Sequence, residues 1–233
     1  MSKDLEFETY LNISPRKLGI YLFDIKNQKN LYKEELIIDE NNNSNEKDIL
    51  KKFLDDNIFK IEKLSRNFIE NIILIIENEN IFNLQIGIKK KNYNSFINNE
   101  YLKNYLTEAK DLFKENYQNE KIMHIIINKY TLDGKSYHSL DNNLECKQLG
   151  LEIQFKSISS SYIYDLDKIL ENYQIKIIKY LDGNYIRNFF KENIEISEMA
   201  YKISTGYNEN EVMIMPRNHK KPGFFERFFQ LFS

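Results

Sequence analysis

Three histidines (His124, His138, His219), one cysteine (Cys146), the serines from Ser157 to Ser161 and two Asp-Gly pairs (Asp133–Gly134, Asp182–Gly183) are the residues whose types could carry chemistry. A nucleophile needs a base within reach and a base needs an orienting partner, so types alone are not enough. His124 sits between Met123 and Ile125 with no Asp or Ser motif near it in sequence, which predicts a satisfied histidine in a core strand. The histidines are unclustered and there is no second thiol, so no metal site is expected. The serine run lies between a strand pattern and a helix pattern, where a hydroxyl caps the helix N-terminus. Cys146 falls in a polar segment without the basic neighbours that lower a thiol pKa, and the Asp-Gly pairs read as turns. The sequence therefore predicts no catalytic residue, no cofactor-binding residue and no metal ligand: not an enzyme.

The other chemistry is interfacial. From Gly223 to Ser233 a helical projection places Phe224, Phe225, Phe228, Phe229, Leu231 and Phe232 within one arc of about 160°, with Glu226, Arg227, Gln230 and Ser233 opposite. Between Pro216 and the end, four positive residues (Arg217, Lys220, Lys221, Arg227) face one negative, Glu226. An apolar aromatic stripe with a basic flank is the pattern of a helix lying in an anionic membrane interface. The gain from partial burial is largely offset by the ordering of the segment, which predicts a weak, reversible anchor. Several copies held together would bind far better than one. The alternative is a helix that docks into a partner's groove.

Composition narrows the partners. The chain has 233 residues, 42% of them hydrophobic, enough for one large or two small cores. A net charge of -2 gives no overall basic field, so nucleic acid is not an expected partner and the basic tail is a local feature. A single cysteine fits a reducing cytoplasm. No stretch reaches the 18 or so apolar residues of a membrane span, and the N-terminus does not read as a signal peptide.

Periodicity then supplies the elements. After a polar leader, Lys17–Asp24 and Leu31–Ile38 read as a hairpin, and Asp48–Ser65 as an amphipathic helix broken near Asn57. Asn71–Ile76 is a buried strand and Phe82–Lys89 a half-exposed one. A helix follows between Asn98 and Asn116, then a long strand from Lys121 to Leu132 turned off by Asp133–Gly134. Lys135–Lys147 reads as a polar loop, Leu149–Ile158 as a strand, and Ile163 to Tyr173 as a helix. A strand at Ile175–Tyr180 leads to helices around Ile186 to Phe190 and Ile196 to Ile203, and Glu211–Met215 is a last strand ended by Pro216.

This order resembles the FtsA family of bacterial cell-division proteins. The matching features are the strand-helix-strand-strand run from Ile72 to Tyr180, Glu108–Lys110 late in its helix, Ile122–Gly134, Leu149–Glu152, and the basic linker with its terminal amphipathic helix. Glu198–Ala200 and Glu211–Pro216 resemble a helix and strand near the end of the family's actin-like body. The resemblance implies an α/β (α+β) fold: a remnant of an actin-like subdomain with an inserted strand-helix-strand-strand domain, plus the C-terminal amphipathic helix. Its divisions would be 1–70 (hairpin and helix of the remnant), 71–175 (insertion domain), 176–215 (remnant helices and strand) and 216–233 (linker and membrane helix). It implies a non-catalytic division adaptor on the inner face of the cell membrane at the division site. Divisome proteins would be its partners, FtsZ or a second copy among them, and Lys220, Lys221, Phe224, Phe225, Arg227, Phe228, Phe229, Leu231 and Phe232 would touch lipid. The departures bear on ATP. Actin-like folds cradle phosphates on an Asp-x-Gly-Ser/Thr hairpin, and Leu18–Lys26 has no such sequence, so ATP is not expected. The chain also lacks the length for the subdomain through which the family grips FtsZ. A divergent ATPase with an unrecognised site is the remaining reading.

Overall fold

A strand that is apolar at every position must be covered on both faces, and Ile72–Ile76 is such a run. The computed structural model describes residues 7–39, 45–91, 97, 99–140, 145–190 and 194–212. In chain order the elements are β1 (Phe7–Ser14), β2 (Lys17–Asp24), β3 (Lys29–Ile37), α1 (Glu46–Ser65), β4 (Asn71–Ile76), β5 (Phe82–Lys91) and α2 (Asn99–Asn116). They continue with β6 (Glu120–Leu132), β7 (Lys135–Tyr137), β8 (Gln148–Ser159), α3 (Ser160–Glu171), β9 (Lys176–Asp182), α4 (Gly183–Phe189) and α5 (Ile196–Ser204). The fold is α+β, and the described residues form two units: 7–80 with 161–205, and 81–160 with 206–212.

The first unit holds a five-stranded sheet in the order β3-β2-β1-β4-β9. β1, β2 and β3 form an antiparallel meander, whereas β4 is parallel to both β1 and β9. On one face Tyr10, Tyr21, Phe23, Ile73, Ile75 and Leu181 pack with Ile186 and Phe190 and with α5 through Ile196, Met199, Ala200 and Ile203. The alternate residues Leu11, Ile20, Leu22, Ile72 and Leu74 are buried as well, so the sheet is covered on both sides. Helix α1 packs on β2 and β3. Its start is capped by the Asn45 side chain, with Glu46 and Asp48 in the first turn where the helix dipole favours negative charge, and Arg66 ends it at φ 56°. The expected break at Asn57 does not occur. The Asn57 amide donates to the Phe53 carbonyl and its Oδ1 accepts from the Tyr32 hydroxyl, so the buried asparagine is satisfied within a continuous helix.

The second unit is an antiparallel sheet in the order β5-β8-β6-β7. Helix α2 covers one face with Tyr105, Leu106, Ala109 and Phe113 against Ile88, Ile125, Ile127, Leu151, Ile153 and Phe155, and the rings of Phe113 and Phe155 stack at 4.9 Å. Asp133 (φ 47°) and Gly134 (φ 86°) form the tight β6–β7 turn, and the Asp133 carboxylate accepts from the amides of Lys147 and Gln148.

Three sequence expectations are corrected. The leader contains a strand, β1, which pairs with β2 ahead of the expected hairpin; that hairpin itself forms, as β2–β3. The compact inserted unit runs over 81–160 instead of 71–175, because β4 is hydrogen-bonded between β1 and β9 and α3 from Ser161 onward belongs with them. Lys135–Lys147 is not all loop: β7 pairs with β6, and Cys146 is buried in the α2 cluster.

Candidate functional site at the ends of the parallel strands

Parallel strands place their carboxyl ends together, and open α/β sheets hold ligands beside such ends. Here that place belongs to Asn12 near the end of β1, Glu77 directly after β4, and Asp182 closing β9. The Glu77 backbone N–H donates to the Ile13 carbonyl at 2.9 Å, which fixes the residue against β1. Its carboxylate then accepts three hydrogen bonds: from Asn12 Nδ2 at 2.8 Å, Arg187 Nε at 2.9 Å and Arg187 Nη2 at 3.1 Å. The two-pronged contact is the geometry in which guanidinium and carboxylate pair most strongly. Glu77 holds the Arg187 guanidinium above its usual pKa range, against the opposing effect of burial. Asp182 accepts from the Tyr185 N–H and caps α4, so Asp182–Gly183 starts a helix where the sequence predicted a simple turn. Asn12 is fully buried, and its Oδ1 has no hydrogen-bond partner among the described residues.

A second charge group lies on the antiparallel part of the same sheet. Glu35 of β3 accepts from the Tyr21 hydroxyl at 2.7 Å and pairs with Lys17 at 2.8 Å. Lys33 lies 3.7 Å from Glu35 and 2.8 Å from Glu195. Burial pushes the Glu35 carboxyl up, but the hydrogen bonds from Lys17 and Tyr21, with the charges of Lys17 and Lys33, bring it below the usual value. The hydrogen bond from Lys33 to Glu195 raises the Lys33 pKa against a smaller effect of burial. Burial, then the bond to Glu35, raises Tyr21 far above the usual tyrosine range. Gly19 makes this possible, because a Cβ there would lie 2.5 Å from the Tyr21 hydroxyl. Glu77, Glu35 and Glu195 each have a cation of the same unit against them.

The turn that joins β1 to β2 bears on phosphate binding. It runs Ser14-Pro15-Arg16-Lys17, and Ser14 Oγ donates to the Lys17 carbonyl at 3.0 Å. Pro15 has no N–H and the turn has no glycine, so it lacks the small residues that bring several backbone donors onto one oxygen. Neither this turn nor Leu18–Lys26 has an Asp-x-Gly-Ser/Thr sequence.

The single-residue candidates fall elsewhere. His124 is buried, as expected, but its partner comes from 87 residues away: Nδ1 lies 2.6 Å from Glu211 Oε1. Ser157 is a buried residue of β8 that donates to Glu120 at 2.8 Å, and α3 begins only at Ser160. His138 is exposed on the segment after β7. No group of three or more His, Cys, Asp or Glu among the described residues could hold a metal ion. His219 and the predicted lipid-binding residues Lys220, Lys221, Phe224, Phe225, Arg227, Phe228, Phe229, Leu231 and Phe232 lie outside the described residues. Among those described, no helix is long and apolar enough to cross a membrane. The Glu77–Arg187 pair was not legible in sequence, since 110 residues separate its members and no motif marks them.

No family model and no curated protein matches the sequence. Solved structures do. One described as the "PilM-PilN type IV pilus biogenesis complex" aligns over 79% of this chain and 49% of its own, at 9% identity and a TM-score of 0.50. That likeness is one of fold. A Bacteroides thetaiotaomicron protein described as having an actin-like ATPase fold and unknown function aligns over 79% and 55%, at 14% identity and a TM-score of 0.35. The cytoplasmic domain of EpsL, an inner-membrane component of the type II secretion system of Vibrio cholerae, aligns over 77% and 57%, at 8% identity and a TM-score of 0.34. The chain spans about half the length of the structures it matches.

Proposed function

We propose that this chain is a non-catalytic adaptor that joins protein partners at the inner face of the cell membrane, with an actin-like remnant as its body and the aromatic tail as its attachment. The observation that carries the reading is the internal pairing of Glu77 with Arg187 and Asn12 beside the carboxyl ends of the parallel strands. A bound phosphate there would face the Glu77 carboxylate and would have to take Arg187 away from it, at the cost of leaving that carboxylate without its cation. The β1–β2 turn offers no substitute cradle.

The setting is read from the resemblance and from the fold likeness together. The FtsA resemblance points to the division apparatus, with FtsZ or a second copy of the chain as partner. The likeness to a pilus-biogenesis complex supports the broader form of the same role, a subunit of a multi-protein assembly. Lipid attachment rests on the residues from Lys220 to Phe232.

Co-sedimentation of the full chain with vesicles tests attachment. The chain should pellet with vesicles containing anionic lipid and much less with neutral ones. Phe225→Asp with Phe229→Asp places two charges in the stripe and should abolish pelleting. Equal pelleting of the double variant overturns the lipid reading, and absence of pelleting by the unaltered chain favours docking of the tail in a partner's groove.

A further inference from the structure

Strand β3 forms one edge of the five-stranded sheet, and none of its nine residues is buried. Such an edge offers a row of N–H and C=O groups to any extended chain that matches it, unless proline or a bulge spoils the row. β3 has no proline, and its bulge against β2 falls at Leu31, which leaves Tyr32 to Ile37 regular. Three of the twelve large apolar side chains exposed among the described residues, Leu31, Leu36 and Ile37, lie on this one strand.

One hydrogen bond fixes which backbone groups face outward. The Ile38 N–H donates to the carbonyl of Arg16, just before β2, at 2.8 Å. Alternation along an antiparallel ladder then turns Leu36 and Glu34 toward β2, and Ile37, Glu35 and Lys33 away from it. The outward residues Lys33 and Glu35 are two apart and opposite in charge, and their side chains share a face, 3.7 Å from each other.

We propose that β3 pairs antiparallel with β3 of a second copy of this chain, Lys33 of each opposite Glu35 of the other, with the two-fold axis between the two Glu34 residues. Directly opposed residues in such a pair share a face, so an outward residue must meet an outward one. Centring the pair on Lys33 or on Glu35 sets like charges against each other, and centring it further out loses the charge pairs. Centring on Glu34 makes two Lys33–Glu35 pairs at once, at the expense of one like-charge contact on the axis. The same register carries Ile37 toward Leu31 of the second copy. The edges of the other sheet are not self-complementary: β7 has three residues, and β5 holds Lys89, Lys90 and Lys91 without an acidic residue.

The pairing joins two five-stranded sheets into one. A dimer also presents two tails to one membrane, which strengthens a weak anchor. That consequence rests on the attachment proposed above; the pairing does not.

Sedimentation of the full chain over a concentration series tests it. A reversible monomer–dimer equilibrium is expected, and it should persist in Phe225→Asp with Phe229→Asp, which separates association through β3 from association through the tail. Lys33→Glu makes both outward charges negative, and Glu35→Lys makes both positive. Each variant alone should dimerise at least about tenfold more weakly, whereas an equal mixture of the two restores opposite charges across the axis and should recover the dimer. Glu34→Gln changes an exposed side chain and removes the like charges on the axis, so it should tighten the dimer about two- to fivefold. It decides alone if the charge variants misfold. A chain that stays monomeric to about 1 mM, a dimer lost with the tail variant, or a mixture no tighter than its folded components overturns the pairing. No gain from Glu34→Gln overturns the register. A dimer without vesicle binding keeps the pairing and removes only its consequence at the membrane.

Discussion

The Glu77 side chain occupies the space that any side chain at position 183 would need: its Cγ lies 2.4 Å, and Ile75 Cγ2 3.1 Å, from where a Cβ on Gly183 would stand. Gly183 opens α4, and the helix start is thereby pressed onto the end of β4. The absence of one methyl group allows a carboxylate to lie across the strand ends and meet Arg187 from the same helix.

Gly183→Ala should therefore destabilise the chain by about 1–3 kcal/mol, the usual cost of overpacking a filled site. Urea denaturation followed by circular dichroism would read it. Gly87→Ala is the control, since nothing lies within 4 Å of its virtual Cβ, and it should be neutral or stabilising by up to about 1 kcal/mol. Shortening the blocking side chain by Glu77→Ala in the Gly183→Ala background should add less than its separate cost. Full additivity would show that the two residues do not compete for this space.

His124 and Glu211 should couple by about 1–3 kcal/mol in a double-alanine cycle, because removing either leaves a buried polar group without this partner. The measurement is again denaturant unfolding of the unaltered chain, both single variants and the double. Coupling below about 0.5 kcal/mol would mean that the pair does not hold the 206–212 segment to β6.

Local patterns in the sequence were readable where the determinant is local. The 3–4 spacing over Asp48–Ser65 gave α1, the Asp133–Gly134 pair gave the β6–β7 turn, and uninterrupted apolar residues gave β4. Strand β1 escaped because its central residues are all buried, Thr9 and Asn12 among them, so polarity does not alternate along it. The position of β4 in the first sheet escaped because its neighbours β1 and β9 are far away in sequence and parallel pairing leaves no turn signal. The same reason hid the candidate site. Asn12, Glu77 and Arg187 come from three elements, and each is unremarkable in its own segment. His124 was legible as buried from its apolar neighbours, though Glu211 was not legible as its partner.

Glu8 sets one pH dependence. Burial raises its pKa, and a hydrogen bond from the Tyr10 hydroxyl and the charge of Lys179 only partly oppose this. A carboxyl whose folded pKa lies above its unfolded value of about 4.3 binds protons more readily when folded. Its contribution is fully present below that value and is lost as pH rises through the folded pKa. Glu8→Gln keeps an acceptor for Tyr10 and removes the buried charge, so it should raise the Tm at pH 7 and make little difference near pH 4. A Tm gain that does not shrink on acidification would contradict the assignment.

Buried tyrosines set the opposite limit. Tyr10 and Tyr21 have no exposed surface, and burial is the largest cause raising both well above the usual range. Burial alone pushes Tyr130 up to about 12. Free tyrosine ionises near pH 10, so the unfolded chain releases these protons first. The stability tied to them is complete below about pH 10 and is lost as pH climbs through the folded values. Alkaline titration should show tyrosinate absorbance from these rings developing together with loss of the far-ultraviolet dichroism, in one cooperative step. Tyr130→Phe removes one titrating group without removing its ring, and should move the midpoint of that step to higher pH. If the absorbance of all 16 tyrosines instead rose smoothly around pH 10 with the dichroism unchanged, the buried rings would not be protected by the fold.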